Sequence, residues 1–434
     1  MLLTNNGALT ITSNAVDPND VVYQGGIAVK ASTGQVYVDG GSVSKPPLST
    51  PIIIDPMDNV TGFTYAVNST NNIIVDGNIG TSGNGINSTL LATKTLTGPI
   101  VPLIYDTIAV LVDRKASNFA SISSIQLGFG RGGTINTKTI TDNGFYRQGK
   151  RMVAANIAKD STYTSVQALS VGTFTFSPRV NQVSPYTADV VFKTMIGNAK
   201  GRPKIVLTFD DSKSTHTDVL FPLMKSYGFK GTLFAVTGQL GLAGKQTLAQ
   251  VKAMYDAGWD VGVNTTTDVA ITSFASDALL VADIQAAQDI LVKAGMNRGL
   301  EHMALSNGTW SEARLAALQV AGIKTTRTTV ASQLYDRFGL FDIAMTLPSQ
   351  GATSATTLAT WTALVDQAMQ IGSTQIFHCH ELLGDADTPT ATNWYTSRFT
   401  AFLDYIKPLS DAGLLDVMTM SEYYASVKDA VLPV

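Results

Sequence analysis

Lys204–Asp211 has the sequence KIVLTFDD, in which an apolar run ends in two adjacent carboxylates. A short apolar run of this kind is typical of a strand that is buried on both faces of a sheet. From here to the end of the chain, such runs alternate with amphipathic segments of helical spacing, and several of these segments end at a glycine. The alternation predicts βαβ units around a parallel sheet or barrel.

The predicted elements follow this alternation along the chain. Strands are expected at Lys204–Phe209, Thr232–Val236, Trp259–Val263, Lys324–Thr329, Gln375–Cys379 and Leu415–Met418. Helices are expected at His216–Tyr227, Leu248–Ala257, Ala278–Ala294, Ser311–Ala321, Thr357–Gln370 and Trp394–Ser410. In parallel folds the side chains that carry chemistry gather at the carboxyl ends of the strands.

The first half of the chain has a different pattern. Residues 1–200 contain short alternating or apolar runs separated by Gly, Asn, Asp and Pro, which is typical of an all-β sandwich or barrel, and we expect the sandwich. Gly77–Asn87 is rich in Gly, Asn and Ser and is predicted to be a loop.

These patterns divide the chain into three predicted domains. Residues 1–48 form a small N-terminal β unit or adaptor, with a hairpin that turns at Ser32–Gly34 and a stiff Lys45–Pro47 spacer. Residues 49–199 form a β-sandwich that serves either as a carbohydrate-binding module or as a spacer. Residues 200–434 form the (β/α) domain.

Composition excludes several classes of protein. Charged residues make up 15% of the 434 residues, against about 25% in an average domain, and the net charge is −3, so nucleic acid is not an expected partner. Neither a signal peptide nor a membrane-inserted segment is expected, since the N-terminus lacks a basic region followed by an apolar one and no long apolar stretch occurs. The single cysteine, Cys379, excludes an intrachain disulfide and a cysteine-based zinc site.

Three predicted strands end in side chains that can carry chemistry. Burying the two carboxylates Asp210 and Asp211 at the end of an apolar strand costs free energy unless they are solvated or bound to a cation. One of them could act as a base while the other binds a metal ion. Alternatively, they cap the following helix. Asn264 and Asp268 are four residues apart, which suits two metal ligands on one helical turn or, alternatively, a polar loop. His378 and His380 share one face of a strand, although a bulge would leave only one of them in a site.

Together these segments resemble the polysaccharide deacetylase family, carbohydrate esterase family 4. The family motif T-F-D-D-G is similar to Thr208–Ser212, and the family motif H-[ST]-x-x-H is similar to Asn264–Asp268. A third loop resembles Ala304–Gly308, an apolar strand ending in H-x-[IL] resembles His380–Leu382, and the G-x-K-A-T-F-F pattern resembles Phe229–Phe234.

The resemblance implies a distorted (β/α) barrel with a divalent metal ion in its groove, and the removal of acetyl groups from a polysaccharide. Asp210 would be the base that deprotonates water, and His380 would be the acid that protonates the leaving group, with His378 as the alternative acid. The implied metal ligands are Asp211, Asn264 and Asp268. No residue is expected to bind an organic cofactor.

The chain departs from the family at several of these positions. Zinc is the metal of the family, but an oxygen-only ligand set favours calcium, manganese or magnesium, or no metal at all. Arg327 could replace the arginine that many members carry in the third loop and so orient Asp210; alternatively it is a surface residue. His216 and His302 are expected to be peripheral, unless one of them serves as a metal ligand.

We therefore expect a hydrolase that removes acetyl groups from a bacterial surface polysaccharide, a capsule or an O-antigen. The alternative is a degenerate deacetylase fold that binds glycans without catalysis. The Thr-, Ser-, Asn- and Gly-rich N-terminal half resembles parts of phage tailspikes or tail fibres. That resemblance implies a homotrimer that attaches to the virion and its tail proteins through its N-terminus and acts outside the cell at the host surface.

Overall fold

A computed structural model describes the side chains of residues 48–57, 107–113, 149–156, 191–388 and 392–433. Elsewhere in the N-terminal half it describes the backbone of the strands. These strands are β1 Asp20–Tyr23, β2 Ile27–Lys30, β3 Gln35–Val38, β4 Ile52–Asp55, β5 Phe63–Tyr65, β6 Asn72–Val75, β7 Asn78–Thr81, β8 Ser88–Leu90, β9 Ala92–Leu96, β10 Thr107–Arg114, β11 Ile122–Arg131, β12 Thr134–Ile140, β13 Gly149–Asn156, β14 Phe174–Gln182 and β15 Val190–Gly197.

The N-terminal strands pair antiparallel in three sheets. β1, β2 and β3 form one sheet, and the antiparallel pairing of β2 with β3 agrees with the predicted hairpin, whose turn at Ser32–Gly34 lies outside the described residues. A second sheet has the order β13-β10-β15-β7-β6 with β4 beside β15, and a third has the order β12-β11-β14-β9-β5 with β8 beside β14. The β-rich character is therefore observed, whereas a sandwich of these sheets stays a prediction.

One prediction in this half is wrong. Gly77–Asn87 was expected to be a loop, but Asn78–Thr81 forms β7, and its backbone pairs with β6 on one side and β15 on the other. Ladder hydrogen bonds on both edges outweigh the low strand propensity of Asn and Gly. The remainder of the segment, residue 77 and residues 82–87, lies outside the described residues.

From residue 204 onward, strands and helices alternate as predicted. The strands are β16 Lys204–Asp210, β17 Thr232–Ala235, β18 Asp260–Val263, β19 His302–Ala304, β20 Thr325–Arg327, β21 Gln350–Gly351, β22 Thr374–Cys379, β23 Glu381–Leu383, β24 Asn393–Tyr395 and β25 Asp416–Met418. The helices are α1 Phe221–Ser226, α2 Leu248–Asp256, α3 Asp277–Lys293, α4 Glu312–Val320, α5 Leu358–Ile371, α6 Thr396–Asp411 and α7 Met420–Val427. A π-helical turn, His216–Leu220, precedes α1. The short strands β19, β21, β23 and β24 and the helix α7 were not predicted.

Polar side chains begin most of the longer helices. Thr247 and Gln250 form a capping box at α2, and Thr419 and Glu422 form another at α7. Ser, Thr and Asn oxygens at this position accept the backbone N–H groups that a first helical turn leaves unpaired. The N-cap side chains at α3, α4 and α5 are Ser276, Ser311 and Thr357.

Strand β16 lies at the centre of a parallel sheet with the order β20-β19-β18-β17-β16-β22-β21. One edge of β16 pairs with β22, while the other edge pairs with β25 in its first half and with β17 in its second half. At the far side of the sheet, Arg327 at the end of β20 bridges in parallel to Leu347, shortly before β21. The sheet therefore curves back on itself, as a distorted barrel requires.

Alternation along β16 separates two layers of core. Ile205, Leu207 and Phe209 face outward and belong to the core beneath the helices, together with Trp259 and Trp361. The intervening residues face the barrel interior, where Val206 packs with Phe234 and Ile376. Since Asp210 continues the inward-facing series, its carboxylate is delivered to the mouth of the barrel.

Strands β10, β13 and β15 contact the barrel directly. Ala109 and Met152 pack with Tyr335 and Phe338 in one apolar cluster. Polar contacts surround this cluster, since Arg151 Nη2 donates to the carbonyl of Gln333 at 2.8 Å, Asn156 Nδ2 donates to the carbonyl of Gln370 at 2.8 Å, and Lys150 N donates to Asp342 Oδ2 at 2.8 Å. This part of the N-terminal half is therefore bound to the barrel through side-chain contacts as well as through the chain.

Among the described residues, no helix has the length and apolar character that crossing a membrane requires.

Gly372 should be the more restrictive of two glycines that follow helices. Both Gly372 and Gly322 have positive φ, but a Cβ at Gly372 would lie 1.9 Å from the carbonyl oxygen of Gly201, whereas one at Gly322 meets no atom within 4 Å. We expect Gly322→Ala to cost about 1–2 kcal/mol for the left-handed backbone alone. Gly372→Ala should lower the free energy of unfolding by several kcal/mol more, because the backbone of 201 has to move. Urea unfolding of both variants tests this, and equal losses would contradict it.

Candidate active site

The carboxyl ends of the parallel strands surround a cavity of about 390 Å³. Every residue assigned a catalytic or metal-binding role from the sequence lines it. These residues are Asp210, Asp211, Asn264, Asp268, Arg327 and His380. His378 and Ser306 line it as well. Residues that are more than a hundred positions apart in the chain thus converge because their strands are parallel and end at one edge.

Asp210 and Arg327 form a buried ion pair at the centre of this cavity. Arg327 Nη2 donates to Asp210 Oδ2 at 2.5 Å, and the two residues are 1% and 5% exposed. The prediction that Arg327 orients Asp210 agrees with this contact, and a surface position is excluded. The guanidinium also lies 5.6 Å above the ring centre of Phe234, which supports it from within the barrel.

The second oxygen of Asp210 is left without a protein partner. Asp210 Oδ1 is buried, and no group in the part of the chain that the structure describes donates a hydrogen bond to it. A buried carboxylate oxygen normally accepts a hydrogen bond, so one from water or from a ligand is expected here. A carboxylate fixed through one oxygen and open at the other is suited to take a proton from water.

His380 lies beside the same carboxylate. Its Nε2 is 3.9 Å from Asp210 Oδ2, and its side chain is partly accessible from the cavity. His380 follows directly after β22, which ends at Cys379, so the two histidines do not lie on one strand as predicted. Both His378 and His380 nevertheless line the cavity, and their ring centroids are 5.9 Å apart.

His216 holds the backbone of His380. Its Nε2 donates to the carbonyl oxygen of His380 at 2.5 Å, and its ring packs edge-on against Phe209. Burial lowers the pKa of His216 to about 4, although the hydrogen bond to His380 acts in the opposite direction. The sequence suggested a peripheral residue or a recruited ligand, but His216 is instead a neutral donor that positions the segment carrying His380.

His302, in contrast, lies away from the cavity. Its Nδ1 is 2.8 Å from Thr325 Oγ1, and its ring packs against Tyr424. Burial lowers the pKa of this imidazole to about 4. The expectation that His302 is peripheral to the site agrees with this placement.

The predicted metal ligands lie around one wall of the cavity, on a backbone that is not helical. Asp211 and Asp268 both have positive φ, and 264–268 is an irregular turn, so the predicted helical turn is wrong. Hydrogen bonds of Thr265 Oγ1 with the N–H and carbonyl groups of Val269 shape this turn. The spacing of four residues still brings Asn264 and Asp268 to the same cavity.

The oxygen of Asn264 is already used within the protein. Asn264 Oδ1 accepts from the N–H of Thr265 at 2.8 Å and lies against the hydroxyl of Ser306. Both contacts use Oδ1, so each of its two lone pairs is turned toward a donor of the protein. A metal ion at this oxygen would have to displace at least one of these hydrogen bonds, and the predicted ligand role of Asn264 stays a prediction.

The remaining donors do not complete a zinc site. The carboxylate of Asp211 is 3.9 Å from the ammonium of Lys213. The pKa of Asp268 is raised, mainly because the side chain is partly buried and secondly because the charge of Asp211 repels its charged form. Within the described ranges, no three His, Cys, Asp or Glu side chains are grouped so as to hold a metal ion. Catalytic zinc normally has three protein ligands, so these residues do not fit that ion, and the metal assignment stays a prediction.

Comparison with protein families and solved structures places these residues in context. The sequence model of the family described as "Polysaccharide deacetylase" matches residues 197–326. This range includes the strands that carry Asp210, Asp211, Asn264 and Asp268, and it ends one residue before Arg327. A comparison with curated proteins found no match.

Several solved structures are similar to part of the chain. A deacetylase, PplD, from Streptococcus pyogenes in complex with acetate has 23% identity and a TM-score of 0.32, over 36% of this chain and 68% of that one. A family 4 carbohydrate esterase from Streptomyces lividans, also with acetate, has 17% identity and a TM-score of 0.35, over 54% and 98%. A family 4 acetyl xylan esterase from Clostridium thermocellum in complex with a cobalt ion has 16% identity and a TM-score of 0.35, over 51% and 90%.

Acid should destabilise the barrel through its buried histidines. The pKa values of His216 and His302 are about 4 in the folded chain, against about 6.5 when unfolded, so between these values the unfolded chain binds more protons. The free energy of unfolding should therefore fall as the pH drops from 6.5 to 4, by up to about 3 kcal/mol for each histidine. Urea unfolding at a series of pH values measures this.

His302→Asn provides the control for that series, because it removes one titrating group far from the cavity and keeps a polar atom near Thr325. The variant should lose roughly half of the pH dependence that these two histidines contribute. An unchanged slope would contradict the assignment.

Proposed function

We propose that the chain is a hydrolase that removes acetyl groups from an acetylated polysaccharide. The observation that carries this proposal is the arrangement of Asp210, Arg327 and His380 in one cavity at the carboxyl edge of the parallel sheet. The match of residues 197–326 to the polysaccharide deacetylase family supports the same reaction class.

The geometry assigns separate tasks to the two titratable groups. Arg327 fixes the carboxylate of Asp210, whose free oxygen takes a proton from the attacking water. The water oxygen forms a bond to the acetyl carbon, and the bond from that carbon to the sugar nitrogen or oxygen then breaks. His380, 3.9 Å from Asp210 and held by His216, gives a proton to the departing group. Acetate and a free amine or hydroxyl are the products.

Replacing Asp210 tests this mechanism. Asp210→Asn keeps the shape of the side chain but removes its ability to accept a proton, so acetate release should fall by about 10²–10⁴-fold. Asp218→Asn is the matched control, since Asp218 is exposed on the neighbouring π-helical turn, and its activity should equal that of the original chain. Enzymatic measurement of acetate from N- and O-acetylated bacterial polysaccharides gives the result. Undiminished release by Asp210→Asn would refute the assigned role.

A second candidate is a glycan-binding module that lacks catalysis. The observation in its favour lies at the wall of the cavity that carries the predicted metal ligands. There Asn264 is hydrogen-bonded to Thr265 and Ser306, and Asn264 and Asp268 stand where the family motif has two histidines. Under this alternative the acetylated polysaccharide binds in the cavity and leaves unchanged. Binding without acetate release would decide for it.

Introducing histidines at positions 264 and 268 tests whether the residues now present there are unsuited to zinc. After dialysis, the original chain should retain far less than one zinc ion per molecule, because two imidazole ligands are missing. The double variant Asn264→His with Asp268→His should retain more zinc, measured by inductively coupled plasma mass spectrometry. A full equivalent of tightly bound zinc in the original chain would show that the assessment is wrong.

The biological setting is a further part of the proposal. The composition of the N-terminal half supports a phage tailspike or tail fibre, attached to the virion through its N-terminus, trimeric, and acting outside the cell on the capsule or O-antigen of the host. Sedimentation of the full chain as a monomer would argue against this setting, and it would leave the proposed reaction untouched.

A further inference from the structure

We propose that His378 is a substrate-binding residue whose Nε2 accepts a hydrogen bond from an N–H or O–H group of the acetylated sugar. This inference rests on the proposed function and specifies what the substrate must offer at the floor of the cavity. It also assigns different roles to the two neighbouring histidines.

The hydrogen-bond chain behind His378 fixes its tautomer. The hydroxyl of Ser349 has one hydrogen, and it donates this hydrogen to the carbonyl oxygen of Thr328 at 2.6 Å, since a carbonyl can only accept. The contact of 2.7 Å between Ser349 Oγ and His378 Nδ1 therefore needs the hydrogen on Nδ1. In the neutral ring this leaves Nε2 with a free lone pair.

The free nitrogen opens toward the cavity. His378 is 6% exposed, and it lines the cavity together with Asp210 and His380. Its Nε2 has no hydrogen-bond partner among the described residues. This nitrogen is also not fully buried, so a ligand in the cavity can reach it. A nearly buried acceptor that remains open only on the side of the cavity indicates a ligand with a donor.

Gly351 keeps this opening free. A Cβ at position 351 would lie 2.8 Å from His378 Nε2 and 3.0 Å from Cε1. Any other residue there would press against the nitrogen that is to accept the hydrogen bond. Strand β21, which carries Gly351, pairs directly with His378 on β22.

His378 stays neutral in this position. Burial lowers its pKa well below the usual value, and the positive charges of Arg327 and of a protonated His380 act in the same direction. A neutral ring with its hydrogen on Nδ1 cannot donate from Nε2, so His378 is unsuited to the role of general acid. That role falls to His380, and His378 is left as an acceptor.

Two substitutions at position 378 separate acceptance from shape. His378→Leu removes the acceptor, whereas the amide oxygen of His378→Gln can occupy the place of Nε2. Acetate release is measured with an N-acetylglucosamine tetramer and with an O-acetylated xylo-oligosaccharide. We expect His378→Leu to raise KM about tenfold, which corresponds to one lost hydrogen bond, and His378→Gln to recover most of that loss.

The two substrates identify the source of the donor. If the amide N–H is the donor, His378→Leu impairs only the N-acetylated substrate. If a sugar hydroxyl is the donor, both substrates are impaired equally. Either result supports the proposal. Gly351→Ala, which keeps His378 and obstructs Nε2, should reproduce the loss, and it serves as the test if His378→Leu does not fold.

Binding to variants in an Asp210→Asn background separates this inference from the proposed function. Titration calorimetry with the same oligosaccharides measures Kd without turnover, so a chain that binds but releases no acetate still tests His378. Equal Kd values for Leu, Gln and histidine at position 378 would overturn the inference alone. Equal losses for Leu and Gln would also overturn it, since shape and not acceptance would then matter. A chain that neither binds nor hydrolyses these glycans would overturn both proposals.

Discussion

The ion pair between Asp210 and Arg327 is the interaction on which the candidate site depends. Asp210 ends β16 and Arg327 ends β20, and three strands lie between them in the sheet. The pair can form only because the sheet curves until these two strand ends face each other across the barrel mouth. Leaving one partner of a buried pair alone costs about 3–5 kcal/mol, so fold and site constrain each other.

The same pair organises the electrostatics of the cavity. The guanidinium compensates the charge of Asp210 and helps to keep His378 neutral. His380 Nε2 is 3.9 Å from the same carboxylate oxygen that accepts from Arg327, and its side chain is partly accessible from the cavity. His378 and His380, two residues apart in the chain, thus meet different environments, and under the proposed mechanism His380 donates a proton while His378 accepts a hydrogen bond.

Much of the fold followed from local pattern. The apolar run Lys204–Phe209 and the glycine-terminated amphipathic segments predicted the βαβ order, since strand and helix periods are properties of neighbouring residues. The short strands β19, β21, β23 and β24 were missed because their hydrogen bonds depend on segments that fold against them. Asn78–Thr81 was missed for the same reason, since both of its strand partners, and not its own composition, define it.

The sequence predicted which residues form the candidate site, but not the hydrogen bonds that hold them in place. The motif positions of Asp210, Asp211 and His380 predicted which strand ends meet. The sequence carried no signal that His216 would hold the carbonyl of His380 or that Ser349 would fix the tautomer of His378, because these contacts join residues that are distant in the chain. The hydrogen bonds of the Asn264 oxygen with Thr265 and Ser306 likewise became visible only in the structure.

The central claim is that this cavity hydrolyses an acetyl group, and the fate of water oxygen tests it most directly. The chain is incubated with an acetylated bacterial polysaccharide in water enriched in ¹⁸O, and the released acetate is analysed by mass spectrometry. Hydrolysis by a water molecule that Asp210 activates predicts acetate with one ¹⁸O atom per molecule. A polysaccharide that binds and keeps all of its acetyl groups would contradict the claim.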